Sequence, residues 1–373
     1  MLKKLTSIAR NTLTALWAVA ALLMLASGYS DRLSPEHGAW VSTLGLAFPI
    51  IMAANMLFLL IFITFCWRRA WLPVAAFVLA YQPISLYVPL NGSGQQADGG
   101  ETLTVMSYNV QGFGGPGPGH DNDNVALSQI VSYVRQQQPD LLCVQEVQDD
   151  KRNAKMRLDS LFAHSDTITL VKTKLSFNAL GLFTRYPILR RERIHYDSRT
   201  NGSVAWTLLR GRDTLFVVNN HLESTHLCKS LRNTYKNMLH GDEPADTVRL
   251  QSRHIAGVLA GSAATRAMQA RTVADYTDSV RRRHPDWLVI VCGDFNDQPI
   301  SYTHRVMARN LTDCFQTAGN GVGWSMLAKA FPVRIDNILC SDRLTPFSCR
   351  VDRSFTASDH HPIVAKMLVS PDR

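Results

Sequence analysis

Up to Leu90 the chain is apolar almost throughout, and beyond Gly100 it changes to short apolar runs separated by polar turns. Three long runs fill the first region: Thr12–Gly28, Ala39–Trp67 and Trp71–Leu90. Its only formal charges are Lys3, Lys4, Arg10, Asp31, Arg32, Glu36, Arg68 and Arg69. A helix crosses a bilayer with roughly 20 apolar residues, so the second run is long enough and the others lie near the lower limit. The pattern predicts three transmembrane helices within residues 1–90. The first run also fits a signal peptide, with Lys3 and Lys4 ahead of a short apolar stretch and Ala26, Ser27 and Gly28 behind it. Lys3, Lys4 and Arg10 flank the first run, and Arg68 and Arg69 separate the second from the third. Basic flanks stay inside. Everything after Leu90 is then expected on the periplasmic or extracellular side, whether or not the first run is cleaved.

"NGSGQQADGG", Asn91–Gly100, has the composition of a flexible linker. Strands are expected at residues 102–110, 140–147, 180–184, 204–209, 213–222, 287–295 and 334–340, where β-branched and aromatic residues run between turn formers. Helical spacing is expected at Asn124–Gln137, Met156–Ala163 and Thr247–Arg282. Strands mixed with helices indicate an α/β layered domain over residues 101–373.

Composition narrows this further. The chain has 373 residues, 46% of them hydrophobic, and a net charge of +9. The part beyond the apolar region is only mildly basic, which suits an anionic ligand or a phospholipid surface. No dense Lys/Arg run interleaved with aromatics marks a dedicated nucleic-acid binder. The cysteines have no zinc-like spacing. In an external domain Cys228 with Cys314, or Cys340 with Cys349, could pair, whereas Cys143 and Cys292 read as buried thiols. "QGFGGPGPGH", Gln111–His120, lacks the Gly-Lys-Ser/Thr ending of a phosphate-binding loop and reads as a mobile loop. The Asp/Asn cluster after it reads as a turn and helix cap.

Ionisable and amide residues close the apolar strands repeatedly: Asn109, Glu146, His221, Asp294 with Asn296, Asp336, and Asp359 with His360. Each alone has a bland explanation. Asn and Asp close turns, Glu146 suits a surface or helix cap, His221 suits a satisfied interior histidine, and Asp336 suits a salt bridge with Arg334. Buried strands seldom end in charge without a reason, because an unpaired buried carboxylate is costly.

Taken in order, "MSYNV", "QPDLLCVQEV", "LGLFTRYPI", "VNNHLES", "VCGDFNDQP", "RIDNIL" and "SDHHPI" resemble the endonuclease/exonuclease/phosphatase superfamily of metal-dependent phosphoesterases. The resemblance spans about Leu103–Met367. It implies a four-layer α/β fold, a two-sheet mixed β-sandwich flanked by helices, with the site at one edge. It also implies Mg²⁺, or Mn²⁺, held by Glu146 and supported by Asn109 and Asp359, since hard cations take oxygen ligands. Asp294 would orient or deprotonate the attacking water, with Asn296 holding that water or a phosphate oxygen. His360 would pair with Asp336, and His221 would serve the phosphoryl oxygens or the leaving group. Of the adjacent histidines the pattern selects His360, leaving His361 structural or solvent-facing. Arg185 and Arg266 are weaker candidates for binding the substrate phosphate. The segment Ser224–His284 is longer than a minimal connection needs, and it could cover the site.

These features lead to an expected membrane-anchored, outward-facing Mg²⁺-dependent hydrolase of a phosphoester, with a phospholipid head group or another envelope phosphoester as substrate. An externally facing nuclease acting on DNA or RNA, in which nucleic acid is substrate only, is the alternative. An inactive membrane scaffold is a third reading, and the intact set of site residues speaks against it.

Overall fold

The computed structural model describes residues 2–38, 44–92, 99–113, 123–147, 154–172, 177–198, 200–225, 245–326 and 332–371. The apolar region folds into helices α1 (Leu2–Gly28), α2 (Phe48–Phe65), α3 (Trp71–Leu79) and α4 (Tyr81–Tyr87). Two helical stretches, Ser7–Arg32 and Gly45–Phe65, are long and apolar enough to cross a membrane. The third expected crossing is broken, with α3 and α4 meeting at a bend of 62°. Pro83 accounts for the break: it has no N–H to donate to the carbonyl of Leu79 four residues back. The Tyr29 hydroxyl donates to that carbonyl instead, at 2.6 Å.

Leu16, Val19, Leu22, Ile50, Leu57 and Ile63 point outward, as lipid-facing side chains do. Inside the bundle Trp17, Met24, Phe48 and Phe62 pack together. Asn55 donates its amide to the carbonyl of Ala20, at 3.0 Å, and to that of Ile51. A polar side chain in hydrocarbon finds a partner of this kind across a helix pair.

The remaining helices are α5 (Asp123–Gln137), α6 (Ala154–Asp159), α7 (Ala245–Arg283), α8 (Tyr302–Met307) and α9 (Cys314–Ala318). The strands are β1 (Thr102–Asn109), β2 (Leu141–Gln145), β3 (His164–Lys172), β4 (Phe177–Thr184), β5 (Ile188–Ile194), β6 (Gly202–Arg210), β7 (Asp213–His221), β8 (Leu288–Asp294), β9 (Thr312–Asp313), β10 (Asp336–Cys340), β11 (Leu344–Val351) and β12 (Ile363–Val369). They form two six-stranded mixed sheets, ordered β11-β12-β1-β2-β4-β3 and β5-β6-β7-β8-β10-β9. This is the expected two-sheet sandwich.

Each sheet has one inner parallel pair, β1 with β2 and β7 with β8. Strands buried on both faces read as continuous apolar runs, and β2, β8 and β10 are buried at every residue. Val105, Cys143, Trp206, Val217, Ile290 and Ile338 meet between the sheets. Burying side chains of this size stabilises by roughly 1.5–3 kcal/mol each. Helix α5 covers the outer face of the first sheet through Leu127, Ile130 and Val134, and α7 covers the second through Ala270, Val273 and Val280.

The expected pairing of Cys340 with Cys349 needs correcting. All described cysteines are free and buried, Cys340 and Cys349 included. The Cys340 thiol lies 3.4 Å from the Leu344 carbonyl and accepts from the Cys314 thiol at 3.7 Å, so it is satisfied within the core. Cys228 lies outside the described residues, as do most of the glycine-rich loop and residues 93–98 of the expected linker. The start of that linker is anchored: the Asn91 amide donates to the carbonyls of Gln316 and Gly319, at 3.0 and 2.7 Å.

Candidate active site

The strand directions explain why residues distant in sequence meet. β1 and β2 run parallel, as do β7 and β8, so Asn109, Glu146, His221 and Asp294 all fall at the carboxyl ends of neighbouring strands. β10 runs antiparallel to β8 with Asp336 opposite Asp294, so its amino end joins the same edge. β12 is antiparallel to β1 with Ile363 opposite Ser107, which brings Asp359 and His360 beside Asn109.

Local backbone strain holds the cluster. Glu146 and Asn296 have φ of +57° and +52°, in the left-handed region that non-glycine residues seldom occupy. Gly293 has φ of +124°, and a Cβ there would lie 2.0 Å from the Asn220 carbonyl oxygen. Only glycine lets β7 approach β8 this closely just before Asp294.

The Asn109 amide donates to Glu146 Oε1 at 3.0 Å and to Asp294 Oδ2 at 3.2 Å, bridging the two sheets. Its oxygen accepts from the Gln111 N–H. In this arrangement the Asn109 amide holds two carboxylates. Asp294 Oδ1 accepts from the Asn296 N–H at 2.8 Å, and the Asn296 amide donates to the Leu222 carbonyl. Asp294 Oδ2 lies 3.7 Å from both His221 Nε2 and His360 Nε2. These distances exceed a hydrogen bond, so neither ring nitrogen is spent on Asp294.

His360 Nδ1 donates to Asp336 Oδ2 at 2.8 Å, forming the expected dyad. The Asp336 N–H donates to Ser325 Oγ, and its Oδ1 is buried without a partner. His221 Nδ1 sits 3.1 Å from the Asn178 amide nitrogen, which leaves the His221 proton on Nε2, facing Glu146 and Asp294. Asp359 stands at the rim, where Oδ2 accepts from Gln111 Nε2 at 3.1 Å.

Burial shapes the charges. It raises the carboxyls of Glu146 and Asp294, the latter to about 6 despite the opposing pull of His360 and His221. Burial also lowers His221. It would lower His360 too, but the charges of Asp336 and Asp294 outweigh it and raise His360 well above the usual imidazole range.

Two donor groups here suit a cation. Asp294, Asp336 and His360 can each turn a ligand atom toward a common point. His360 and Asp336 already satisfy one another, and a hard ion prefers oxygen. Glu146, with its side chain 36% exposed, offers a carboxylate on the open side beside Asp294, where a cation could keep its waters. The donor set fits Mg²⁺ or Mn²⁺.

Arg185 is far from this cluster. Antiparallel pairing sets Leu141 opposite Thr184, so Arg185 lies at the amino end of β2 and pairs with Asp140 at 3.4 Å. Arg266 is buried at the border of the site, donating to the Glu223 carbonyl and to Asp297 Oδ2. Through Asp297 it braces the loop after Asp294. His361 is buried, not solvent-facing: its N–H donates to the Ser325 carbonyl and its ring to the Phe355 carbonyl.

Asn178 and Gln111 complete the cluster and were not anticipated. A lone amide on an edge-proximal strand and another at the start of a glycine-rich loop carry no distinguishing pattern.

Residues 106–360 match the family model described as the endonuclease/exonuclease/phosphatase family. The chain belongs to this family. Residues 10–87 match a domain of unknown function, DUF8431. No curated protein matches the chain in sequence. Among solved structures, an endonuclease/exonuclease/phosphatase family protein from Bacteroides thetaiotaomicron is similar with a TM-score of 0.51 at 16% identity, over 75% of this chain and 98% of that one. A truncated TDP2 from Caenorhabditis elegans gives a TM-score of 0.50 at 18% identity, over 72% and 98%. At these identities the likeness speaks for the endonuclease/exonuclease/phosphatase fold alone.

Proposed function

We propose that the protein is a membrane-anchored, divalent-metal-dependent hydrolase of phosphoester bonds whose catalytic domain faces outward. The observation that carries this reading is Asp294, a buried acid set between two imidazoles and joined through Asn109 to the half-open carboxylate of Glu146.

Glu146 would hold Mg²⁺ or Mn²⁺, with Asn109 fixing its carboxylate and Asp359 supporting the rim. When bound, the ion neutralises charge on the phosphoryl oxygens. Asp294 takes a proton from the attacking water, and the Asn296 N–H fixes its carboxylate for that task. His360, kept charged by Asp336, presents Nε2–H to a phosphoryl oxygen, and His221 Nε2–H donates to another or to the leaving group. Positioning and charge neutralisation are what phosphoryl transfer requires.

A lipid head group or another envelope phosphoester is favoured as substrate by the anchor, with DNA or RNA as the competing class. The full chain in detergent, given Mg²⁺ or Mn²⁺, should release product from a phospholipid panel faster than from DNA at equal phosphate. Faster cutting of DNA would make the protein a nuclease. No turnover of any phosphoester would leave the scaffold reading standing.

A further inference from the structure

The catalytic domain is docked on the helical unit along the same edge that carries the site. Glu36, in the turn after α1, pairs with Arg271 of α7 at 2.5 Å. Asp31 pairs with Arg305 of α8 at 3.4 Å. Gly45, at the start of the second span, packs so closely that a Cβ would lie 2.5 Å from the Ile300 carbonyl oxygen. Ile300 itself is buried in the apolar cluster of the helices. Arg334, fully buried and stacked on Phe315 at 4.2 Å, donates to the Leu86 carbonyl at 2.6 Å. That guanidinium would lose a partner if the helical unit swung away.

These contacts bear directly on the reacting edge. Arg334 is two residues from Asp336, and Ile300 is six from Asp294. A chain advances at most about 3.5 Å per residue, so the two acids lie within roughly 7 and 20 Å of backbone that touches the helices. The outer ends of the spans therefore form one border of the site. The outward halves of the helices still expose Leu22 and Ile50, so the domain caps their ends and does not lie along their sides.

We infer that the helical unit is a docked part of the enzyme that holds the site against the bilayer surface, and that the phosphoester cleaved is one presented by a lipid in the same bilayer. This rests on the hydrolase reading above. Arg271 and Glu36 act as positioning residues for the whole domain.

The test uses the full chain reconstituted into phosphatidylethanolamine/phosphatidylglycerol vesicles with Mg²⁺. Head-group-labelled lipid of either kind is supplied in the same vesicles or in separate ones, and bis(p-nitrophenyl) phosphate serves as the soluble probe. Same-vesicle cleavage should exceed separate-vesicle cleavage at least tenfold. Glu36→Arg should reduce it at least fivefold while leaving soluble-diester turnover within twofold, and Glu36→Arg/Arg271→Glu should restore it. Equal rates in the two lipid formats, or a Glu36→Arg variant with undiminished same-vesicle cleavage, would overturn the proposal. Docking is also read without activity: Glu36→Cys/Arg271→Cys should crosslink with a short bismaleimide, and failure to do so overturns it. Crosslinking together with no turnover of any probe, the soluble diester included, would sink the hydrolase reading instead.

Discussion

Asp294 is a carboxyl pulled in opposite directions. Burial and the Asp336 charge raise it; His360, His221 and the Asn296 N–H lower it, and the balance falls at about 6. A proton-accepting role needs the ionised form, so turnover should rise with pH through that region, and a bound cation would move this limb lower. In the proposed mechanism His360 acts charged, and its raised pKa means that turnover should be lost only as pH rises through an unusually high value. Asp336→Asn removes the charge that sustains His360 and one that raises Asp294, so both limbs of the kcat/KM profile should move to lower pH. An unmoved alkaline limb would refute the dyad. His360→Ala should cost roughly 10²–10⁴ in kcat, whereas His361→Asn should keep both limbs in place. Period-2 geometry keeps these neighbours from facing one site together, and the resemblance to the family's pattern is what singled out His360 in the sequence. Asn178 was not, because which imidazole nitrogen an amide will meet depends on pairing between β4 and the turn at Thr200.

At the scale of elements, every inner strand but β12 was readable and none of the four edge strands was. β2 and β8 announce themselves by unbroken apolar runs. β5 reads "ILRRERI", exposed at Leu189, Arg190 and Arg191, and β3 carries His164 and Asp166. Both are edge strands, where charge discourages pairing with another chain and blurs the alternation. α9 is similarly short, and its start depends on one residue. Asp313 caps it, accepting from the Phe315 and Gln316 N–H groups at 2.8 and 3.2 Å, and also faces His304 Nε2 at 3.1 Å. Burial alone would raise the Asp313 carboxyl, but His304, Arg334 and the Gln316 N–H outweigh it and the net shift is downward. A depressed acid contributes stability that is present above its unfolded pKa and lost as pH falls through its folded one. Asp313→Ala should therefore lower the Tm at pH 7, by an amount equivalent to about 1 kcal/mol for the cap alone. Asp313→Asn should keep much of the cap and lose the charge-dependent part, so its stability should fall less steeply than the wild type below pH ~4. A Tm unchanged in Asp313→Ala at pH 7 would show that the cap contributes nothing.

For the whole molecule, the question is which way the helices run. Arg69 donates to Thr14 Oγ1 at 2.8 Å and to Asn11 Oδ1 at 3.0 Å, so the basic flank between the second and third runs lies beside the basic flank of the first. The catalytic domain is at the other end, touching Asp31, Glu36, Gly45 and Leu86. The bent pair α3–α4 starts beside Arg69 and ends at Arg334, so despite its 62° bend it travels from the basic end to the catalytic end. A re-entrant loop would have returned Leu86 to the side it came from. The geometry thus favours three crossings, with Lys3, Lys4, Arg10, Arg68 and Arg69 gathered on one side. Basic residues near short loops are retained inside, and the proposed orientation accordingly has residues 101–373 outside. A reporter enzyme active only in the periplasm, fused after Arg373, should be active in a bacterial host, and a fluorescent protein that matures only in the cytoplasm should be dark there. Arg68→Glu/Arg69→Glu should reduce the active fraction, since it removes the charge that holds the second turn inside. A fusion that fluoresces in the cytoplasm and lacks reporter activity would reverse the topology, and with it the case for an external phosphoester as substrate.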